Sequence, residues 1–197
     1  SGEVLPTAGR IFFKGNDVTG LTPDELSRAG LGRSFQHSTL FDAFSTYENV
    51  RLAAQSRLPS SMRFLRRAES FIDINARADA ALAQIELSSS TLKAAEISHG
   101  EQRQLEIAML LATAPELMLL DEPTSGMGRG ETHAMITMLR RLGRKRTLIL
   151  VEHDMDVVFT LADRVTVLVY GAVLATGTPD EVRQNADVRA AYLGERS

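Results

Sequence analysis

The residues best suited to chemistry are two adjacent carboxylates, Asp121 and Glu122, which end an apolar run that begins at Leu117. Pro123 follows them, and a short apolar run bounded by a turn residue is typical of a buried strand in a parallel sheet. Carboxylates at the C-terminal end of such a strand lie where open α/β sheets bind ligands. We therefore expect Asp121 to hold Mg2+, directly or through water, and Glu122 to orient or deprotonate a water molecule. The alternative is a helix start, at which both would be ordinary first-turn acids.

A second group of residues lies upstream, where Ser98 and Glu101 have the spacing of a helix capping box. Gly100 lies between them and lets the backbone approach a bound group closely. The residues that follow share one helical face: Leu105, Ala108, Met109 and Ala112. A serine and a glycine at a helix N-terminus form an anion site, because free N–H groups and the helix dipole both favour negative charge. The alternative is a well-capped helix that binds nothing.

A third candidate, His153, follows a second apolar run, Thr147 to Val151. A single histidine at a strand end is more often structural than functional. Here, however, it falls beside the same predicted strand ends as Asp121 and Glu122. We therefore expect all three side chains at one edge of a sheet.

In this order, the segments GRSFQHSTLF, ISHGEQRQ, LMLLDEPTSGM and VEHD resemble the motifs of the ABC ATPase domain. The matching positions are the Q-loop glutamine Gln36, the signature loop Ser98, His99, Gly100 and Glu101, the Walker B strand Leu117 to Asp121, the catalytic glutamate Glu122 and the switch histidine His153. The tail from Leu161 onward resembles the ATP-binding subunits of branched-chain amino acid importers, and urea and amide importers are similar alternatives. Three positions depart from the pattern: His99 replaces a glycine, Glu101 a glutamine and Gly128 an acidic or amide residue.

The resemblance implies phosphoryl transfer to water, in which positioning and charge neutralisation carry the catalysis. Two such domains are expected to dimerise head to tail, so that Ser98 and Gly100 contact the γ-phosphate of ATP bound to the partner. Gln36 would contact Mg2+ and the attacking water, Glu122 would polarise that water, and His153 would hold the γ-phosphate.

The cofactors implied by the resemblance are ATP and Mg2+. Gln36 and Asp121 would hold the metal ion, and Ser98 to Glu101 would form the nucleotide-binding loop. A groove beside the Q-loop would receive a short helix from a transmembrane permease subunit.

One motif of the family is absent from these 197 residues: no G-x-x-x-x-G-K-[ST] sequence occurs. The chain has three lysines, Lys14, Lys93 and Lys145, and none ends a glycine-rich loop. Either the chain is a fragment of a longer protein, which we favour, or it is a natural variant without the loop. In both cases we expect the chain alone to bind ATP weakly and to hydrolyse none.

Composition limits the class of protein. The hydrophobic fraction of 44% and the charged fraction of 24% are ordinary for a globular domain. A net charge of −3 provides no overall basic field for nucleic acid, and the arginine cluster from Arg140 to Arg146 is expected to be a solvated helix end. Cysteine is absent, which excludes disulfides, and no run approaches the roughly 18 apolar residues of a membrane span. We expect a cytoplasmic chain, peripheral on the inner face of the membrane.

The expected fold is α/β: a P-loop NTPase-like parallel core lacking its N-terminal strand, a small antiparallel region and an inserted helical subdomain. The expected divisions are a partial β subdomain with the Q-loop at 1–40, a helical subdomain with the signature loop at 41–100, and a RecA-like core remainder at 101–197. The pattern predicts helix from about Ser60 to Ala95, with a serine-rich break at Ser88 to Ser90, and a turn at Gly15 to Asp17. Capping boxes at Thr22 with Glu25 and at Ser45 with Glu48 predict two further helix starts.

Three functions remain open on this reading. The first is the ATP-hydrolysing subunit of an importer, working as a homodimer or heterodimer with a second ATPase chain and with permease subunits. The second is a degenerate module that binds a partner without hydrolysing ATP. The third is a soluble ABC protein of DNA repair or translation, which the absence of long coiled coils or a tandem cassette disfavours. The transported solute does not follow from the sequence.

Overall fold

The computed structural model describes residues 2–34, 40–56, 72–85, 87 and 91–193. The chain divides into two compact units, Ser1–Val151 and Glu152–Ser197. The first unit combines a parallel sheet with helices, and the predicted α/β class is therefore confirmed.

The parallel sheet of the first unit has three strands in the order β3 (Leu31–Arg33), β4 (Leu117–Asp121) and β5 (Thr147–Val151). Both pairings are parallel, and Asp121 of β4 lies opposite Val151 of β5. Met118 and Leu120 of the central strand are buried, as an apolar run inside a parallel sheet should be. The carboxyl ends of β4 and β5 therefore meet at one edge of the sheet.

A short hairpin near the N-terminus corrects one prediction. Strand β1 (Phe12–Phe13) pairs antiparallel with β2 (Asn16–Asp17), so the turn consists of Lys14 and Gly15. Both turn residues have positive φ, 52° and 78°, as a two-residue hairpin turn requires when its twist matches that of the flanking strands. The prediction of a turn at Gly15 to Asp17 was wrong, because Asn16 and Asp17 pair as strand residues.

Three helices of the first unit begin at the predicted capping boxes. The helix bounds in this unit are α1 Pro23–Arg28, α2 Thr46–Gln55, α3 Ile72–Leu82, α4 His99–Ala112 and α5 Arg129–Gly143, with a 3-10 turn at Ala94–Glu96. The predicted capping boxes form at three helix starts: Thr22 with Glu25, Ser45 with Glu48, and Ser98 with Glu101. Two orphan N–H groups are satisfied at each of these starts, which fixes where the helices begin.

The helix predicted from about Ser60 to Ala95 is wrong in part. After α3 the chain forms a turn at 83–85, and 91–93 is not helical; residues 57–71 lie outside the described residues. Gln84 in that turn accepts hydrogen bonds from Arg141 to its carbonyl (2.6 Å) and from Arg146 to its side chain (2.8 Å). These arginines therefore bind the end of α3, which corrects the expectation of a fully solvated helix end.

The second unit is built on an antiparallel pair, β6 (Val165–Val169) and β7 (Ala172–Gly177). Its helices are α6 Met155–Leu161, α7 Pro179–Gln184 and α8 Ala186–Val188, followed by a π-helical turn at Arg189–Leu193. Its core contains four buried valines: Val165, Val167, Val182 and Val188. In the part of the chain that the structure describes, no helix is long and apolar enough to cross a bilayer.

The buried amide of Asn49 fixes the entry into α2. Its Oδ1 accepts from the Phe41 N–H (2.8 Å), and its Nδ2 donates to the carbonyls of Phe41, Phe44 and Ser45. Asn49→Ala should lower the free energy of unfolding by about 1–3 kcal/mol, because it removes the acceptor of the part-buried Phe41 N–H together with the bonds that the buried amide donates. Urea denaturation measures this loss.

The matched control is Gln55→Ala, which removes an exposed amide from the same helix and should change stability by less than about 0.5 kcal/mol. Equal effects of the two substitutions would show that the Asn49 network does not hold the loop.

Candidate functional site

The edge of the sheet carries Asp121 and Glu122 at the end of β4. The Glu122 N–H donates to the Val151 carbonyl at 2.8 Å, so the strand ladder extends one residue beyond Asp121. Glu122 has a φ of 45°, a left-handed conformation that is uncommon for a residue other than glycine. Such backbone strain concentrates at functional sites, where the surrounding structure enforces it. The predicted strand end is confirmed, and the turn at Glu122 is consistent with the catalytic role that the sequence predicts.

Asp121 lies beside a cation that the sequence did not single out. Arg33, at the end of β3, places Nη2 3.6 Å from the Asp121 carboxylate and Nη1 2.5 Å from Glu3. The Asp121 N–H also donates to the Ser34 hydroxyl at 3.2 Å. A metal ion at Asp121 would therefore share this carboxylate with Arg33 or displace the guanidinium. The parallel register of β3 and β4, which local spacing does not reveal, brings these residues together.

The signature loop forms the N-terminus of α4. Ser98 is the N-cap: its hydroxyl accepts from the Glu101 N–H, and the Glu101 carboxylate accepts from the Ser98 N–H. Ser98 and His99 are exposed, whereas Gly100 is buried. The loop therefore lies on the surface of its unit, with its amides at the positive end of a 14-residue helix.

A carboxylate from another helix already fills this N-terminus. Glu131, the third residue of α5, accepts through Oε1 from the Ser98 hydroxyl and from the Gly100 N–H, both at 3.2 Å. Its Oε2 accepts from the Gly128 N–H at 3.1 Å. An anionic group thus occupies the donors that the sequence assigns to a phosphate, and the donor set fits an anion. No motif marked Glu131 in the sequence, because Ser98 and Gly100 lie more than 30 positions upstream of it.

The loop after β4 also lies against the signature loop. A Cβ on Gly126 would lie 3.5 Å from Cε1 of His99, and Gly126 has a φ of 75°. With Glu131, this contact joins the loop at 125–128 to the start of α4. The structure therefore brings the signature loop together with the segment that follows the Walker B strand.

Two further residues of the predicted site are Gln36 and His153. Gln36 lies outside the described residues, and His153 belongs to the second unit. His153 immediately precedes Asp154, whose carboxylate caps α6 by accepting from the N–H groups of Asp156 and Val157. The convergence of these two side chains on Asp121 and Glu122 stays a prediction.

The described residues also include Lys14 and one predicted metal ligand, Asp121. Lys14 lies in the β1–β2 turn and pairs with Glu116 at 2.7 Å. Within the described ranges, no group of three His, Cys, Asp or Glu side chains could hold a metal ion by itself. Mg2+ bound with a nucleotide needs only one or two protein carboxylates, because phosphate and water oxygens complete its shell. Asp121 fits that role.

Comparison with known proteins identifies the class that this fold and site define. The ABC transporter family matches residues 1–125, and the family described as branched-chain amino acid ATP-binding cassette transporters matches residues 172–197. The chain belongs to the ABC transporter family, as an ATP-binding cassette.

Individual proteins that this chain resembles belong to the same family. The high-affinity branched-chain amino acid transport ATP-binding protein LivG of Escherichia coli K12 is 35% identical over 99% of this chain and 80% of its own length. The corresponding protein BraF of Pseudomonas aeruginosa is 34% identical with the same coverage. A crystal structure of the ADP conformation of an ATP-binding cassette superposes with a TM-score of 0.84 at 26% identity, covering 99% of this chain and 80% of that one.

The contacts of Glu131 predict a specific acid sensitivity. The Gly128 amide, and then the Gly100 amide and the Ser98 hydroxyl, lower the pKa of Glu131 below its usual value, against an opposing effect of burial. A carboxyl whose pKa is lower in the folded than in the unfolded state stabilises the fold above its unfolded pKa of about 4.5. That contribution is lost as the pH falls through the folded pKa.

The difference in stability between the wild type and Glu131→Gln should therefore become smaller as the pH falls from 7 to below about 4. Thermal unfolding at a series of pH values measures the difference. A difference that stays constant across this range would show that the ionised carboxylate makes no stabilising contact.

Proposed function

We propose that this chain is the ATP-binding subunit of an importer for branched-chain amino acids, and that it hydrolyses ATP to drive transport in the complete transporter. The observation that carries the proposal is the signature loop, whose Ser98 hydroxyl and Gly100 amide both point at an anionic group. The match of residues 172–197 and the LivG and BraF relatives favour branched-chain amino acids over other solutes.

Each site residue has a role in this proposal. Glu122, held in its left-handed turn, polarises the attacking water. Asp121 holds Mg2+ together with Gln36, and Mg2+ neutralises charge on the phosphates when bound. The Ser98 hydroxyl and the Gly100 amide donate to the γ-phosphate of a nucleotide on a second cassette. His153 holds the same phosphate and reports its loss.

The exposed position of the signature loop supports the proposed partners. Ser98 and His99 lie on the surface of their unit, so a second ATPase subunit can reach the loop. That subunit would be either a second copy or a different cassette. Permease subunits would dock beside the Q-loop, which places the chain on the inner face of the membrane.

The isolated chain should not turn over ATP. It lacks the glycine-rich loop and lysine that donate several charge-assisted hydrogen bonds to the phosphates, each worth about 1.5–3 kcal/mol. Phosphate release by the purified chain with ATP and Mg2+ should stay at the background rate. Turnover of about 1 per second or faster would contradict this expectation.

Transport in cells tests the proposed function. Deletion of the gene that encodes the chain should abolish uptake of radiolabelled leucine, and the wild-type gene should restore it. Glu122→Gln should reduce the restored rate by about 100-fold or more, because it removes the base that orients water. Glu25→Gln makes the same exchange in the capping box of α1 and serves as the control, with uptake near wild type.

The outcomes separate the candidate functions. Full uptake by Glu122→Gln would favour the degenerate module, which binds its partner without hydrolysis. Unchanged leucine uptake after deletion would overturn the assignment to branched-chain amino acids.

A further inference from the structure

The contact of Glu131 with the signature loop lies outside the capping box of α4. The capping box of α4 is already complete, because Ser98 and Glu101 satisfy each other's N–H groups. In the boxes of α1, α2 and α7, the glutamate at the same position, Glu25, Glu48 or Glu181, bonds only the start of its own helix. Glu131 instead reaches from α5 to the start of α4. Its carboxylate therefore accepts from the Gly100 N–H, which the capping box of α4 leaves without an acceptor, as well as from the Ser98 hydroxyl.

Gly100 provides the space for this carboxylate. A Cβ at position 100 would lie 2.6 Å from Oε1 of Glu131, closer than real Cβ contacts. The residue is buried, and its N–H donates to that same oxygen. The loop is thus shaped around an oxygen anion at this position.

We propose that Glu131 is an internal latch on the signature loop, and that its carboxylate must withdraw before Ser98 and Gly100 can bind a phosphate. This inference rests on the proposed function, which assigns these two donors to the γ-phosphate of a nucleotide on the partner subunit.

The Glu131 carboxylate and a phosphate cannot both bind Ser98 and Gly100, because too few hydrogen atoms are available. The Ser98 hydroxyl and the Gly100 amide have one hydrogen each, and Oε1 of Glu131 accepts both. A phosphate at the same place would also meet a like charge at short range. Withdrawal need not leave Glu131 without a partner, because its Oε2 keeps the Gly128 N–H at the start of its own helix. The latch can therefore open by a side-chain rotation while α5 stays in place.

The latch lowers the apparent affinity of the signature loop for a nucleotide phosphate. A site that is competent for only a fraction of the time shows an apparent affinity lowered by that fraction. With Glu131 in place, free phosphate should bind the loop poorly. Only a nucleotide held firmly by the partner subunit would then displace the carboxylate.

Inorganic phosphate, titrated into the 15N-labelled chain, tests the latch directly through the NMR signal of the Gly100 amide. Glu131→Gln removes the charge and should lower the apparent Kd for phosphate at Gly100 by about tenfold, as expected for a latch closed nine-tenths of the time. Glu131→Asp keeps the charge on a shorter side chain that cannot reach Ser98, and should have a similar effect. Glu48→Gln, the same exchange at the start of α2, should leave the wild-type affinity unchanged.

Each result decides the question. Equal affinity at Gly100 in the wild type and both Glu131 variants overturns the latch and leaves the phosphate site of the proposed function intact. No response of Gly100 in any variant overturns the latch together with the anion-binding role of the loop. The amide spectrum of each variant reports whether it is folded, and two different substitutions at one position guard against a local defect.

Discussion

The parallel pairing of β4 with its neighbours is the constraint on which the rest of the structure depends. Because β3, β4 and β5 run in the same direction, the end of β4 lies beside the ends of both others. This register sets Arg33 against Asp121 and joins Glu122 to Val151. The buried side chains of Met118 and Leu120 fix the strand in place, so packing in the core determines where the carboxylates of Asp121 and Glu122 lie. Chemistry at this edge therefore needs no flexible loop to bring its carboxylates together.

The contacts around the start of α4 depend on charge. A helix N-terminus with exposed donors favours an anion, and here the chain supplies its own. The carboxylate of Glu131 links α4, α5 and the loop after β4 through three hydrogen bonds. The segment after the Walker B strand and the signature loop are consequently one connected unit. In the proposed latch, a phosphate at Ser98 would displace Oε1 of the side chain whose Oε2 accepts from the Gly128 N–H.

Local patterns in the sequence were sufficient for much of this architecture. Capping boxes such as Ser98 with Glu101 depend on a three-residue spacing, and the apolar run at Leu117 marked the central strand. The contacts of Glu131 with Ser98 and of Arg33 with Asp121 escaped prediction because they join residues more than 30 positions apart. The apolar run at Thr147 marked a strand but not its exposure: Ile149 and Val151 lie on the same face of β5 and are 48% and 58% exposed.

The central claim is that the start of α4 faces the nucleotide of a second ATPase subunit. The chain has no cysteine, so His99→Cys provides a single thiol on the exposed signature loop. Oxidative cross-linking of this thiol to a cysteine placed in the glycine-rich loop of the partner subunit, in the assembled transporter, measures their approach. The account predicts a disulfide whose yield rises with ATP and Mg2+. A cross-link that never forms, or that forms equally without nucleotide, would contradict it.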